Sequence, residues 1–491
     1  MRYSMLVYLT NMGKTLLEAA RYLRTAEDRG LQKELLENGR QMVGQIRAEL
    51  KRHSGDLRTP QPLELLRDIG RLWDKSGTGS ELEEKLETFV RRLPEEVSYR
   101  VRAVFFAELG EKWDAMESVY EFMRDDPRFD PVVVLTPIYR VVNRNGKQEQ
   151  EVIYKDYLTP MGIPFLHYDK YSLEEDCPDL AFISQPYEGC TPKEFWPENI
   201  AKHTRLVYLN YGMLGAVFED TAQTLCLLPV FRHAWRVIGA SDRHYQYYCK
   251  SAINGGGNMV VAGLPKFDPV IRLKEKKTAL PDGWKQIVTN KRVILWNTWY
   301  DPMRCSLACF DSVACWFEEH TDCVLIWRMH PMTETVTKLY YPLEYYERLQ
   351  RYIAKAEAAP NMILDKNASY SAAFVCSDAM ISDYSSLMFQ YLLLDKPVLW
   401  IKRSDGSGPF NGKMLTGEFL IDWRWMEETE EFEGISQFLD RIRNGEDQKA
   451  DIRKMVLQRD LPLADGHCGE RTCTVLWEEM HREDFQIEGE P

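Results

Sequence analysis

The sequence predicts an α/β protein in which two doubly wound parallel-sheet domains face a cleft, preceded by an N-terminal helical extension. Three observations predict it. The chain has 491 residues, more than one ordinary hydrophobic core organises. From Val101 onward, apolar runs of strand length alternate with amphipathic runs of helical length, which is the spacing of βαβ units. A charged, Pro-containing stretch at 271–290 then separates two such alternating blocks. The expected division is 1–98 for the helical extension, 99–275 for the first sheet domain, 285–430 for the second, and 431–491 for helices packing back on both.

Each element has a local reason. Between 11 and 95, Leu16, Leu17, Ala20 and Leu23, and then Leu31, Leu35, Leu36, Val43, Ile46 and Leu50, recur at helical spacing among many charges, so these helices bury one stripe and solvate the other. In the first block, RAVFFAEL reads as a buried strand, WDAMESVYEFMRDD as a helix and PVVVLTPIY as the next strand. PDLAFISQPY, the helix-like PKEFWPENIAKH, RLVYLNYG, VIGAS and SDRHYQYYCKSAI continue the alternation, and NGGGN is a connecting turn before NMVVAGLPKFD. The second block runs RVILWNTW (strand), CSLACFDSVACWFEEH (helix), CVLIWRMHP (strand), YYPLEYYERLQRYIAKAEA (helix), NMILD (strand), SYSAAFVCS (helix), DAMISD (strand), SSLMFQYLLL (helix) and KPVLWIK (strand).

Composition narrows the partners. A formal net charge of −13 repels a nucleic-acid backbone, so no nucleic acid is expected. It does not exclude a small anionic substrate, because backbone amides at helix N-termini act locally. Eleven Cys without a CxxC pair indicate reduced thiols and a cytoplasmic compartment. The first residues carry neither a cleavage-site pattern nor a membrane span, which leaves at most peripheral contact with a membrane. His467, Cys468 and Cys473 make a poor metal site, and no metal is expected.

Two segments can carry chemistry. In DAMISDYSSLMFQ a strand ends at Asp383 and a helix begins near Ser385 and Ser386, where hydroxyls and first-turn amides can hold a pyrophosphate; alternatively Ser385 is simply an N-cap. In WRMHP, again a strand end, Arg328 and His330 share one side and Met329 takes the other. His330 can donate to a leaving phosphate and Arg328 can offer a planar fork to an anion, although a lone strand-end His also serves structure alone. Trp296, Trp299 and Trp327 read as core or cleft wall, with a base-stacking role open to one of them.

The ordered set GLPKFD (263–268), ILWNTW (294–299), RMHP (328–331), ISDYSSLMFQ (381–390), KP (396–397) and DG…GER (465–471) resembles the CDP-glycerol glycerophosphotransferases, the family of teichoic-acid polymerases and primases. The resemblance spans roughly 99–480 and implies a GT-B-like fold. It also implies CDP-glycerol, or a related CDP-polyol, bound in the cleft as donor, with polyol phosphate transferred to a lipid-linked or polymer acceptor and CMP released. Arg328, Met329, His330, Ser385 and Ser386 then match the donor-binding motifs. Lys266 stands where an Arg is usual, and Asn297-Thr298 fall on a Pro-Thr pair, retaining only Thr298. Asp383, at the strand end, joins the substrate-binding set.

The departures concern catalysis. The family's acceptor-activating His, from an H-G-T-like segment, has no counterpart in YLNYGMLG (208–215); Tyr211, Glu108 and Asp114 are the candidates to replace it. Gln390 stands where an acidic residue usually grips the donor's hydroxyls. Two other readings share the fold: a glycosyltransferase or epimerase using a UDP-sugar, and a nucleotide-binding subunit without turnover.

Overall fold

The structure, a computed structural model, describes residues 1–144, 147–212, 226–275, 278–301, 305–367, 369–383, 385–401 and 421–486. Four helices open the chain: α1 (Tyr3–Leu23), α2 (Arg29–Arg52), α3 (Gln61–Lys75) and α4 (Ser80–Glu96). Their apolar stripes enclose a core of their own, with Leu16, Leu17, Ile46, Leu66, Trp73 and Phe89. Asp28 caps α2 by accepting the amide hydrogens of Gly30 and Leu31.

The first sheet domain contains β1 (Val101–Ala107), helix α5 (Glu117–Asp125), β2 (Phe129–Leu135), the pair β3 (Ile138–Arg144) and β4 (Lys147–Ile153), then β5 (Leu166–His167), β6 (Leu180–Ile183), β7 (Arg205–Tyr208), β8 (Arg236–Gly239) and β9 (Met259–Val261). Seven of these strands form one sheet in the order β5-β2-β1-β6-β7-β8-β9, and every neighbouring pair in it is parallel. The second domain contains β10 (Arg292–Thr298), β11 (Cys323–Met329), β12 (Met362–Leu364), β13 (Ala379–Ser382), β14 (Val398–Ile401) and β15 (Glu427–Thr429), ordered β12-β11-β10-β13-β14-β15 and likewise parallel. Both faces of each sheet are covered, which is why the central strands read as continuous apolar runs.

Three features depart from the sequence expectation. The stretch after PVVVLTPIY turns into the antiparallel hairpin β3–β4, paired from Ile138–Ile153 to Arg144–Lys147. An Asn-Gly dipeptide at 145–146, itself outside the described residues, was the hairpin signal in the sequence. PKEFWPENIAKH is not one helix but a 3₁₀ turn (Lys193–Phe195) and a single helical turn (Pro197–Ile200), because Pro197 cannot continue an upstream hydrogen-bond ladder. Within 271–290 the helix Trp284–Val288 seats Trp284 in the second domain's core, so the connection is partly ordered structure.

The chain end returns to the first domain. The last helix, Cys468–Phe485, places Cys473, Leu476 and Met480 in the core beneath β1. Its start is held by the buried Asp268 carboxylate, which accepts the amides of Cys468 (3.0 Å) and Gly469 (2.8 Å). Gly263, at φ +81°, passes so close that a Cβ there would lie 2.6 Å from Cys468 Sγ. Among the described residues no helix is long and apolar enough to cross a membrane.

Candidate functional site

Parallel strands bring all their C-terminal ends to one edge of a sheet, and loops at that edge are where α/β proteins bind ligands. In the second domain the register sets Asn297 beside both Arg328 and Ser382, and Thr298 beside Met329. The loop carrying His330 and the loop carrying Ser385 and Ser386 therefore flank the end of β10. With neighbouring strands about 4.8 Å apart, the two loops stand roughly 10 Å from each other.

His330 is mostly buried and packs against the Tyr300 ring, centroids 5.2 Å apart. Its Nδ1 accepts the Met332 amide hydrogen at 3.1 Å, so the neutral ring carries its hydrogen on Nε2. Burial lowers its pKa, the Arg140 guanidinium lowers it further, and Glu111 opposes them. Met329 is partly buried and packs its side chain on the opposite core, as the alternation of β11 requires. Ser385 is the N-cap of the helix Ser386–Leu392, accepting the Leu387 amide at 3.2 Å, while Ser386 is exposed. Tyr384 lies outside the described residues.

The remaining second-domain candidates are enclosed. Arg328, 9% exposed, donates through Nη1 to Asp365 at 2.6 Å and to the Ser369 carbonyl at 3.3 Å. Asn297 donates to the Ser382 hydroxyl, and Thr298, fully buried, accepts from Trp327 Nε1 at 3.3 Å. Asp383 accepts the amides of Trp299 (2.9 Å) and Ser306 (2.8 Å) and the Ser306 hydroxyl (3.1 Å), tying together the loop that follows β10. Trp296 and Trp327 are core residues; Trp299 is partly buried beside Tyr300. These side chains shape the loops from beneath, through the hydrogen bonds to the protein just described.

Gln390 is likewise enclosed. It is 2% exposed, and its Nε2 donates to Asp114 Oδ2 at 2.9 Å and to the Tyr370 hydroxyl at 2.8 Å; Tyr370 in turn donates to Asp114 at 3.2 Å. Asp114 belongs to the turn after β1, so this knot joins the two domains at the edges where their strands end.

The first domain's contribution was only partly visible in the sequence. Lys266 is 3% exposed, has its pKa lowered by burial against the pull of Asp114, and donates to the Tyr211 carbonyl. Tyr211 lies under the Lys112 ammonium, which is 4.5 Å from its ring centre, and burial, reinforced by Tyr187, raises its phenol pKa. A phenol so raised stays protonated at neutral pH and donates rather than accepts a proton, which argues against Tyr211 as a base. The segment 213–215 of YLNYGMLG lies outside the described residues. Lys112, its own pKa lowered by burial with Glu108 opposing, and His330 share the neighbours Arg140 and Glu111. Arg140 is carried by β3, the strand whose hairpin the sequence reading passed over.

Other motifs have structural partners. Lys396 donates to the carbonyls of Phe374 (2.7 Å) and Ser377 (2.6 Å) at the end of helix Ser371–Cys376, and Arg471 pairs with Asp465 at 2.8 Å. NGGGN is a turn, with Gly255 and Gly256 at φ +67° and +82°. His467 faces Glu470 at 3.0 Å, and among the described residues no three His, Cys, Asp or Glu side chains group as metal ligands.

Comparison with known proteins agrees with this architecture. A Listeria monocytogenes protein assigned as a UDP-N-acetylglucosamine 2-epimerase superposes with a TM-score of 0.52 at 12% identity, covering 78% of this chain and 97% of its own. The S. aureus MnaA–UDP complex gives 0.50 at 13% identity, covering 80% and 99%. At these identities the likeness establishes the fold, two GT-B-like sheet domains. The wall teichoic acid polymerase TagF gives 0.49 at 15% identity, covering 87% and 99%. No curated protein matches the chain. The sequence profile of one family matches residues 232–478, just over half of the chain and including the His330 and Ser385-Ser386 loops, and the chain belongs to that family, the CDP-glycerol:poly(glycerophosphate) glycerophosphotransferases.

Proposed function

We propose that the protein transfers polyol phosphate from CDP-glycerol, or a related CDP-polyol, to a hydroxyl of a lipid-linked or polymeric acceptor of the teichoic-acid kind, releasing CMP. The observation that carries this reading is the placement of His330 and the Ser385-Ser386 turn on either side of the β10 end, within the segment matched by the family. A gap of roughly 10 Å suits a diphosphate held from both ends. Ser386 and the first-turn amides would hold one phosphate through charge-assisted hydrogen bonds. His330 Nε2–H would point at the bridging oxygen and stabilise the charge that grows there as the phosphorus–oxygen bond to CMP breaks.

Arg328, Asn297, Thr298, Asp383 and Gln390 hold these loops in place in this reading. Lys112, Arg140 and Lys266 add positive charge from the opposite wall, where the acceptor enters. The donors are hydroxyls, amides and cationic side chains, so binding is read as metal-independent and activity should persist in EDTA. The enzyme would work at the cytoplasmic face of the membrane as a peripheral protein.

Isothermal titration with CDP-glycerol, CDP-ribitol, CDP and a UDP-sugar tests the donor class. Heat with the CDP-polyols and CMP release on adding acceptor are expected. Preferential binding of the UDP-sugar would overturn the reading.

A further inference from the structure

The first domain holds a group that the donor site does not use. Glu108 directly follows β1, at the edge where the strands of the first sheet end, and is buried with no hydrogen-bond partner for its Oε2. Buried carboxylate oxygens are normally satisfied, and one that is not calls for an explanation. Beside it Gln185 Oε1 is buried and equally without a partner. Glu108, Gln185, Thr136 and Thr191 line a cavity of about 10 Å³, which is about what a single hydroxyl-sized group requires. Tyr187, 40% exposed, also lines it.

We propose that this cavity receives the acceptor's attacking primary hydroxyl and that Glu108 Oε2 is the general base that removes its proton, taking the place of the histidine absent from the 208–215 segment. The inference rests on the phosphotransfer reading above. The hydroxyl oxygen bonds to the phosphorus that bears the polyol, its proton passes to Glu108, and the phosphorus–oxygen bond to CMP breaks with its electron pair leaving on CMP.

The surroundings suit the task. Burial pushes the Glu108 carboxyl up to about 7; the Lys112 ammonium draws it down, as do the local backbone and the Ser184 hydroxyl. Tyr157, Tyr208 and Tyr211 also face it, each protonated at neutral pH because burial raises the phenol. Lys112 is the counter-charge of Glu108, and Lys112 in turn shares the neighbours Arg140 and Glu111 with His330. A base whose pKa lies near the working pH combines availability with driving force.

The test uses the full chain, CDP-glycerol as donor and a glycerol-terminated alkyl phosphodiester as acceptor, with donor binding followed separately by titration. Glu108→Gln should lower kcat about 10²- to 10⁴-fold while leaving donor affinity within threefold. Wild-type kcat should fall on the acid side with a midpoint near pH 7, and formate should restore part of the turnover of Glu108→Ala. Wild-type CMP release with an undiminished Glu108→Gln rate would overturn the base and leave the donor reading standing. Absence of CDP-polyol binding by the wild type would overturn both. If Glu108→Gln fails to fold, a wild-type profile without that acid limb overturns the assignment by itself.

Discussion

Gln390 of the second domain donates a hydrogen bond of 2.9 Å to the carboxylate of Asp114 in the first, with the Tyr370 hydroxyl closing the triangle. All three lie where the two sheets turn their strand ends toward one another, and a neutral amide at 390 is what permits a carboxylate at 114. A Glu at 390 would set two carboxylates against each other in a buried place.

Gln390→Glu should therefore destabilise the protein by about 2–4 kcal/mol, since Asp114 loses a donor and gains a like charge. Adding Asp114→Asn should recover much of the loss. Thermal unfolding of the two single variants and the double variant measures the coupling, and strictly additive effects would contradict it.

The two serines of the donor turn should separate. Ser385→Ala removes the N-cap of Ser386–Leu392 and should cost about 1 kcal/mol of stability. Ser386 is exposed, so Ser386→Ala should leave Tm unchanged but weaken CDP-polyol binding by about 10- to 100-fold, as loss of one hydrogen bond to a charged group does. Calorimetry of both variants, with and without donor, distinguishes the roles.

His330→Ala should lower kcat by about 10²–10³ with donor affinity nearly unchanged, the signature of a contact made in the transition state. Burial and Arg140 hold the imidazole's pKa below its ordinary value, so the neutral N–H form prevails at and above neutral pH. The contribution of His330 to kcat should accordingly be flat on the alkaline side, in contrast to the acid limb assigned to Glu108.

His244 makes a stability prediction of definite sign. It is buried, its Nδ1 accepts the Ala240 amide at 3.0 Å, and burial lowers its pKa to about 4 from an ordinary 6.5. The unfolded chain therefore binds a proton that the folded chain refuses. The contribution of neutral His244 is intact above pH 6.5 and is lost as pH falls toward 4, by up to about 3 kcal/mol. Glu108 and Asp179, raised by burial to about 7 and about 6, act in the opposite sense over overlapping ranges. The measurement is thus the pH dependence of the stability difference between wild type and His244→Asn, which should shrink as the medium is acidified.

Local order was legible wherever one physical signal dominated. The runs at β1, β10, β11 and β13 are apolar because both faces of each sheet are covered, and the helical stripes of α1–α4 follow from the core they share. His330 and Ser385 were found because they follow such runs directly. The β3–β4 hairpin was missed because its second strand, KQEQEVI, is mostly polar instead of running apolar, and with it went Arg140. The hydrogen bond of Gln390 to Asp114 was not legible because the two lie 276 residues apart in sequence.

Residue order alone thus set the two parallel sheets, the motifs at their strand ends and the family, since backbone hydrogen bonding and side-chain periodicity act over a few residues. It could not say which of those polar side chains would face the cleft. Folding buried Thr298, Asn297, Asp383 and Gln390 against their own protein and left Glu108 Oε2 with no partner, because burial and pairing arise only when distant segments close upon one another.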